Sequence, residues 1–384
     1  MEMGDLLIGL VIVWLAAKLA GEGIERLGQT AVLGELLAGV IIGPGVLGLV
    51  HESEILHALA EIGLVILLFE IGLESDLEGL LRAGLQSTVV AVVGLVCPFA
   101  LGYLLGTLWG TSTTVAVFIG ATMTATSVGI TARVLSDLDR LGEVSSKIVL
   151  GAAVLDDILG LMILAVVTGL IQTETFSLGS IGWILGKALV FLAGAIVFGI
   201  RFAPTMVRWV SRMRARGSLI VYAVLFCVLL AALSEWLGLA TIVGAFAAGL
   251  ILAKTDRSTH IDEQLKPVAD LFVPVFFVTV GMKVMPTTLN PFDTEAGGLA
   301  LALLLIGAAI AGKLSAGLAV YQKGVKRWPV GVGMVPRGEV GLVFAGTGLA
   351  SGIIGKDLYA VLITMIMVTT FVVPPWLKAI YSER

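Results

Sequence analysis

The hydrophobic pattern divides the chain into thirteen apolar runs separated by short charged breaks. Most runs have about 20 residues, the length of a helix that crosses the hydrocarbon core of a bilayer. The pattern therefore predicts an all-α polytopic membrane protein with 13 transmembrane helices. The predicted spans are residues 5–24, 30–49, 55–73, 85–108, 112–133, 147–171, 179–200, 218–237, 240–253, 266–282, 296–321, 329–350 and 357–378.

Composition agrees with a membrane protein. Of the 384 residues, 58% are hydrophobic and only 14% are charged, and the mean hydropathy is +1.05, whereas soluble domains have about 25% charged residues. The net charge of −4 argues against a nucleic-acid partner. The chain ends soon after its last apolar run, so we expect no appended soluble or nucleotide-binding domain.

The basic residues predict the orientation. Alternate loops between the spans fall into two sets, one with eighteen Lys and Arg residues and the other with only Lys283 and Lys356. Cytoplasmic loops carry the excess of Lys and Arg. The N-terminus is therefore predicted to lie outside and the C-terminus inside.

Short segments of the first half recur in the second half at an offset close to 210 residues, which equals seven spans. An odd number of spans reverses orientation, so the pattern predicts an inverted-topology repeat, an architecture typical of transporters. The span at 179–200 would link the two halves. The matching segments are 32–41 with 242–251, 67–73 with 276–282, and 124–130 with 336–342.

Two spans are predicted to be discontinuous and to cross each other. Residues 122–133 place clustered hydroxyls, including Thr126 and Ser127, at membrane depth, where they compete with the helix for backbone groups. Residues 334–344 contain Pro336 and Gly338, which break helices. Unwound backbone is tolerated in a membrane only where it is buried or lines a cavity.

Asp156 and Asp157 lie near the middle of an apolar helix, where an aspartate costs about 3 kcal/mol, so they mark a functional site. Lys313 is a lone cation deep in the eleventh span and should pair with Asp156. Arg337 and Glu339 lie two residues apart in the segment broken by Pro336 and are predicted to form a structural ion pair. Glu35 and Glu70, in other spans, are not predicted as primary ligands.

These residues suit exchange of a monovalent cation for protons. Carboxylates beside oxygen-rich backbone favour Na⁺ or Li⁺, and no thiolate or imidazole cluster indicates a transition metal. A buried carboxylate holds either a proton or a cation. If cation binding at Asp157 and Asp156 releases Lys313, which then loses its proton, two protons exchange for one Na⁺ and transport is electrogenic. We expect no cofactor and no enzymatic activity.

The sequence resembles the bacterial cation/proton antiporters, most closely the NapA-like Na⁺/H⁺ antiporters. The resemblance covers nearly the whole chain. It implies the NhaA/NapA-like fold, a homodimer in the bacterial or archaeal cytoplasmic membrane, and elevator-like alternating access. It rests on GELLAGVIIGPGVLGLVHESEIL, ATSVGITARVL, LGAAVLDDILGL and VGMVPRGEVGL.

The resemblance also implies residue roles and domains. The family's paired aspartates correspond to Asp156 and Asp157, the second being the main ion ligand, its ion-pairing lysine to Lys313, and its unwound-helix hydroxyls to Thr126 and Ser127. The implied domains are dimer-domain helices at 1–84 and 218–283, transport-domain helices at 85–171 and 284–384, and a linker helix at 172–217.

Three alternatives remain at this point. A K⁺/H⁺ or mixed Na⁺(K⁺)/H⁺ antiporter on the same scaffold is hardly distinguishable by residue types. An intramembrane aspartyl protease would need aspartates on separate helices, whereas Asp156 and Asp157 are neighbours, about 100° apart on one helix. A channel fits two broken helices and an intramembrane lysine less well than alternating access does.

Overall fold

In the computed structural model, all regular secondary structure of the described residues is helical; these residues are 3–27, 29–51, 53–75, 77–173, 178–213, 215–239, 241–283 and 298–382. This confirms the predicted all-α class. The helices of this part of the chain are α1 (Met3–Arg26), α2 (Ala31–Ile42), α3 (Glu54–Glu74), α4 (Leu77–Leu108), α5 (Thr113–Thr122), α6 (Val128–Asp137), α7 (Val144–Thr173), α8 (Leu178–Val210), α9 (Ser218–Trp236), α10 (Thr241–Leu252), α11 (Ser258–Met282), α12 (Gly298–Leu318), α13 (Arg327–Gly333), α14 (Glu339–Ala350) and α15 (Lys356–Ser382).

Each predicted span coincides with one helix, except that two spans coincide with helix pairs. The fifth span is divided into α5 and α6, and the twelfth into α13 and α14. Seven helices in the described residues are long and apolar enough to cross a membrane, and α2, α5 and α10 are shorter apolar helices. The chain is therefore a polytopic membrane protein, while the number of crossings stays a prediction.

Packing divides the chain into two compact units. The first consists of Met1–Ser53, Ala83–Phe176 and Phe277–Arg384, and the second of Glu54–Arg82 and Ser177–Phe276. The first unit contains both broken helix pairs together with α7 and α12. The predicted division into dimer and transport helices concerns which helices move, so it stays a prediction.

A fully buried apolar cluster supports the broken helices in the first unit. Phe118 of α5, Leu305 of α12, Phe344 of α14 and Met365 of α15 belong to it. Lipid tails are as apolar as these side chains. Moving a side chain from lipid into the protein interior therefore provides little hydrophobic free energy. Close van der Waals contact between the helices provides the stabilisation instead.

Glycines allow backbones to touch at positions that follow the predicted repeat. A Cβ atom built on Gly34 would lie 2.5 Å from the carbonyl oxygen of Ala20, and one on Gly244 would lie 2.1 Å from that of Leu230. Both members of the second pair follow those of the first by 210 residues. The contact between α1 and α2 in the first unit therefore recurs between α9 and α10 in the second.

A second pair of close contacts predicts where an added methyl group is not tolerated. In Gly39→Ala, the new Cβ would lie 2.1 Å from the carbonyl oxygen of Val278. Overpacking of this kind costs about 1–3 kcal/mol, so we expect a lower midpoint of thermal unfolding in detergent. Gly249→Ala, at the repeat-related position and 2.3 Å from the carbonyl oxygen of Phe69, should behave alike.

Gly307→Ala is the matched control, because no atom of the described residues lies within 4 Å of a Cβ at that position of α12. Alanine also has the higher helix propensity. Its midpoint should be unchanged or slightly higher. Equal stability of Gly39→Ala and Gly307→Ala would contradict the close approach of α2 and α11.

Candidate cation-binding site

The break between α5 and α6 leaves five residues outside either helix. α5 ends at Thr122 and α6 begins at Val128. The hydroxyl of Thr122 donates to the carbonyl of Phe118 at 2.9 Å, and that of Thr124 donates to the carbonyl of Ala121 at 2.7 Å. Both hydroxyls bond to carbonyls at the C-terminal end of α5, so they stabilise that helix end.

The second break depends on a proline and a glycine. α13 ends at Gly333 and α14 begins at Glu339. Pro336 has no backbone N–H and cannot continue a helix. Gly338 has φ +46°, and a Cβ there would lie 2.4 Å from Ser127 Oγ. Only glycine combines this backbone conformation with such close contact.

Backbone contacts hold the two breaks against each other. The backbone N–H of Ser127 donates to the carbonyl of Pro336 at 2.7 Å. The hydroxyl of Thr131, in the first turn of α6, donates to the carbonyl of Gly333 at 2.6 Å. The structure therefore brings together the two segments that the sequence predicts to be unwound.

Arg337 joins the second break to the first through carbonyl oxygens. Its guanidinium is fully buried and donates to the carbonyls of Met123, Ala125 (2.9 Å) and Ala309 (3.2 Å). The first two carbonyls follow the C-terminal end of α5, where unpaired carbonyls carry partial negative charge. The predicted ion pair with Glu339 stays a prediction, because that side chain lies outside the described part of the chain.

Lys313 and Asp156 form a buried ion pair. Lys313 Nζ lies 2.9 Å from Asp156 Oδ2 and donates a second hydrogen bond to Thr126 Oγ1 at 2.6 Å. The lysine side chain is fully buried and the aspartate is 1% exposed. Thr126 in turn lies 3.4 Å from the carbonyl of Met334 at the second break. The pair is thus connected to both unwound segments.

Two glycines lie where α4 and α12 pack together beside the lysine. Gly312 packs so closely on α4 that a Cβ would lie 2.9 Å from the Cα of Pro98. A Cβ on Gly94 of α4 would lie 3.8 Å from Cδ of Lys313. The aliphatic part of the lysine therefore lies along α4. Sequence reasoning missed these positions, because a Gly before a Lys in an apolar helix carries no signal of its own.

One carboxylate oxygen of Asp156 receives no hydrogen bond from the part of the chain that the structure describes. This atom is Oδ1, and it is buried. A buried carboxylate oxygen without a donor is costly, and such exceptions frequently mark an ion or a functional site. Asp157 follows it in α7, but the side chain of Asp157 lies outside the described residues. The predicted two-carboxylate arrangement is therefore described only for Asp156.

A separate acidic group lies in the second unit. Carboxylate oxygens of Glu70, Glu74 and Asp262 come within 4.8 Å of one another. Lys266 Nζ lies 2.7 Å from Asp262 and 3.8 Å from Glu74, so a cation of the protein already balances part of their charge. Glu70, which the sequence left without a role, belongs to this group rather than to the Asp156 pair.

Comparison with known proteins identifies the family. Residues 10–382 match the family described as sodium/hydrogen exchanger, transmembrane. The chain belongs to this family. It is 42% identical over 417 residues to the high-affinity Na⁺/H⁺ antiporter NhaS3 of Synechocystis sp., covering 99% of this chain and 90% of that protein. It is 37% identical to the Na⁺/H⁺-K⁺ antiporter GerN of Bacillus cereus, covering 98% and 96%.

A solved structure supports the fold of this exchanger. The sodium proton antiporter MjNhaP1 from Methanocaldococcus jannaschii superposes with a TM-score of 0.68 at 20% identity, over 98% of this chain and 97% of that chain. The exchanger is thus a monovalent cation/proton antiporter, as the resemblance predicted.

The buried pair of the exchanger makes a testable contribution to stability. In Lys313→Met, the Asp156 carboxylate loses its cation while it remains buried. Removing one partner of a buried ion pair costs about 3–5 kcal/mol, so we expect a large drop in the free energy of unfolding in detergent at neutral pH. Adding Asp156→Asn should recover most of it, because the uncompensated charge is removed.

The double-mutant cycle separates pairing from packing. If Lys313→Met and the double variant are equally unstable, the loss comes from the lysine's packing and the ion pair contributes nothing. Lys323→Met is the control, since Lys323 is exposed in the loop between α12 and α13. Its free energy of unfolding should remain close to the native value.

Proposed function

We propose that the chain exchanges Na⁺ for H⁺ across the cytoplasmic membrane, with Asp157 and Asp156 as the groups that carry the cation and the protons. The observation that carries this proposal is the half-satisfied carboxylate of Asp156. One oxygen binds Lys313 at 2.9 Å, and the other is buried without a hydrogen-bond donor among the described residues. A bound cation or a proton would stabilise such a carboxylate by satisfying its second oxygen.

The unwound segments supply the remaining oxygen ligands. Thr126 Oγ1 lies 2.6 Å from Lys313 Nζ, so the hydroxyl and the carboxylate of Asp156 now share one cation. Na⁺ prefers hard oxygen ligands of this type. A Na⁺ ion bound to these oxygens and to Asp157 takes the place of the lysine ammonium, and Ser127 adds a further hydroxyl.

Competition for the carboxylates couples the two ions. Without a cation, Lys313⁺ neutralises Asp156, and Asp157 holds a proton. When Na⁺ binds, Asp157 releases its proton and Lys313 leaves Asp156 and loses a proton of its own. Two protons then leave for each Na⁺ that enters, so each cycle moves one net charge. A site that holds neither protons nor a cation carries uncompensated negative charge. The free-energy cost of moving this charge through the membrane prevents the empty site from changing sides, so transport of one ion stays coupled to transport of the other.

The scaffold we propose has thirteen membrane spans arranged as an inverted repeat of the NhaA/NapA type. Two observations support it. Each predicted span matches a helix or a broken helix pair, and the glycine contacts of α1 with α2 recur at an offset of 210 residues in α9 with α10. The excess of Lys and Arg in alternate loops supports an outside N-terminus and an inside C-terminus.

We also propose a homodimer that works by elevator-like movement. The helices of 85–171 and 284–384 would carry the site across the membrane, while those of 1–84 and 218–283 would form the fixed dimer domain. The helices that surround the site, α5, α6, α7, α12, α13 and α14, all belong to the first unit, as movement in one body requires. That unit also contains α1 and α2, so packing alone does not separate the proposed moving helices from the proposed fixed ones.

K⁺ is the second candidate cation, because the relative GerN is named a Na⁺/H⁺-K⁺ antiporter. K⁺ binds the same oxygen ligand types as Na⁺. The two ions differ in size, so selectivity depends on ligand distances that include the Asp157 carboxylate. Direct measurement of transport with each cation decides between them.

Removal of the second aspartate tests the proposal. Native protein in acid-loaded proteoliposomes should release protons when Na⁺ or Li⁺ is added outside. Asp157→Asn should reduce this release to the level of empty vesicles, because the amide neither carries a proton nor balances Na⁺. Proton release with K⁺ alone would assign the protein to the K⁺ branch.

Asp357→Asn provides the matched control, because it makes the same chemical change at an exposed position at the start of α15. Its proton release should equal that of the native protein. Undiminished Na⁺-driven release by Asp157→Asn would show that the aspartate does not carry the exchange.

A further inference from the structure

A polar cavity lies in the second unit, whereas the buried ion pair belongs to the first. It has a volume of about 210 Å³ and is formed where α8 ends and where α9 and α11 begin. A water molecule takes up about 30 Å³, so the cavity accommodates a group of several heavy atoms. Its polar wall includes Ser211, Ser218, Arg257, His260 and Gln264.

The charges around this cavity favour an anion. Arg257 lies in its wall, and residues 208–216, from the last turn of α8 to the start of α9, contain four arginines and no acidic residue. The acidic residues nearest in sequence to the wall are Asp256, Asp262 and Glu263, and none of them belongs to it. Asp262 pairs with Lys266 at 2.7 Å, and the Oε2 atom of Glu263 lies 3.7 Å from His260 Nδ1. Glu263 is mostly exposed.

Two helix starts add to the positive potential. Gly217 and Ser218 at the start of α9, and Arg257 and His260 at the start of α11, all line the cavity. The N-terminal end of a helix carries partial positive charge on unpaired N–H groups. The N-cap residue of α9 is Gly217, and no side-chain cap is found there among the described residues. Phosphate groups bind readily where helix starts and arginine combine.

The position of the cavity indicates which kind of phosphate-bearing molecule it would bind. The basic loops place it on the side predicted to face the cytosol. Trp209, one residue before the end of α8, is 59% exposed and contacts the ring of Tyr222 edge to face at 5.9 Å. Exposed Trp and Tyr side chains are typical of the headgroup level of a membrane, where anionic headgroups meet basic pockets between helices.

We propose that this cavity binds the phosphate of an anionic phospholipid headgroup in the cytosolic leaflet, with Arg257 and the first turn of α9 as its main contacts. Binding there ties together the ends of α8, α9 and α11. The site is independent of the proposed exchange mechanism, so a binding measurement tests it whether or not transport follows the scheme above.

The test is the midpoint of thermal unfolding of the full chain in a neutral detergent. Short-chain phosphatidylglycerol should raise the midpoint of the native protein by about 2–4 °C, through preferential binding to the folded state. Phosphatidylcholine of the same chain length should raise it less, because its headgroup has no net charge. Arg257→Gln should lose the difference between the two lipids.

A second variant tests the same site in case Arg257→Gln does not fold. Ser218→Asp places a carboxylate in the first turn of α9, where it stabilises the helix but repels a phosphate. It should fold as well as the native protein and also lose the difference between the lipids. Lys323→Gln, which removes an exposed charge in the first unit, should retain the native response.

Three results would overturn the proposal. Full retention of the lipid difference in both Arg257→Gln and Ser218→Asp would show that the cavity does not bind the headgroup. Equal shifts with the two lipids would show that charge is not recognised. An equal shift with inorganic phosphate, lost in both variants, would keep the anion site but show that its phosphate is not supplied by the membrane.

Discussion

A buried lysine and a buried aspartate cannot remain charged in a membrane unless each compensates the other. Lys313 and Asp156 meet at 2.9 Å and are almost completely inaccessible. Desolvating two charges costs several kcal/mol per ion, and the attraction between them repays this only with good geometry and additional hydrogen bonds. The structure around the pair supplies these conditions, with a hydroxyl from Thr126 and close helix contacts at Gly312 and Gly94. A bound cation that replaces the lysine must meet the same requirement.

The broken helices remain folded because their polar groups are paired across the break. Ser127 and Thr131 donate to carbonyls of the second break, and Arg337 donates to carbonyls of the first. Unwound backbone within a membrane would otherwise expose polar groups that lipid cannot satisfy. The same unwinding leaves oxygen atoms beside Asp156, so the feature that demands stabilisation also provides the ligands for a cation.

The helices and the existence of the breaks were predictable from sequence, because they depend on local signals. Long apolar runs mark helices, and Pro336 with Gly338 marks a break. The partner of Lys313 was predictable because a deeply buried cation requires a carboxylate. The residue pattern alone does not distinguish the individual hydroxyls, since Thr124 and Thr126 are chemically alike yet one bonds to its own helix and the other faces Lys313. Only the family resemblance singles out Thr126. The bonds from Arg337 to carbonyls depend on tertiary contacts that no local pattern encodes.

The charge moved in each cycle tests the central claim most directly. Na⁺-driven proton movement in proteoliposomes should be measured at a series of imposed membrane potentials, for the native protein and for Lys313→Gln. If cation binding releases the lysine and its proton, native exchange depends on the potential, whereas the variant exchanges one proton for one Na⁺ and its rate is independent of the potential. Native exchange that does not respond to potential, or a variant that responds as the native protein does, would contradict the coupling of Lys313 to the cation.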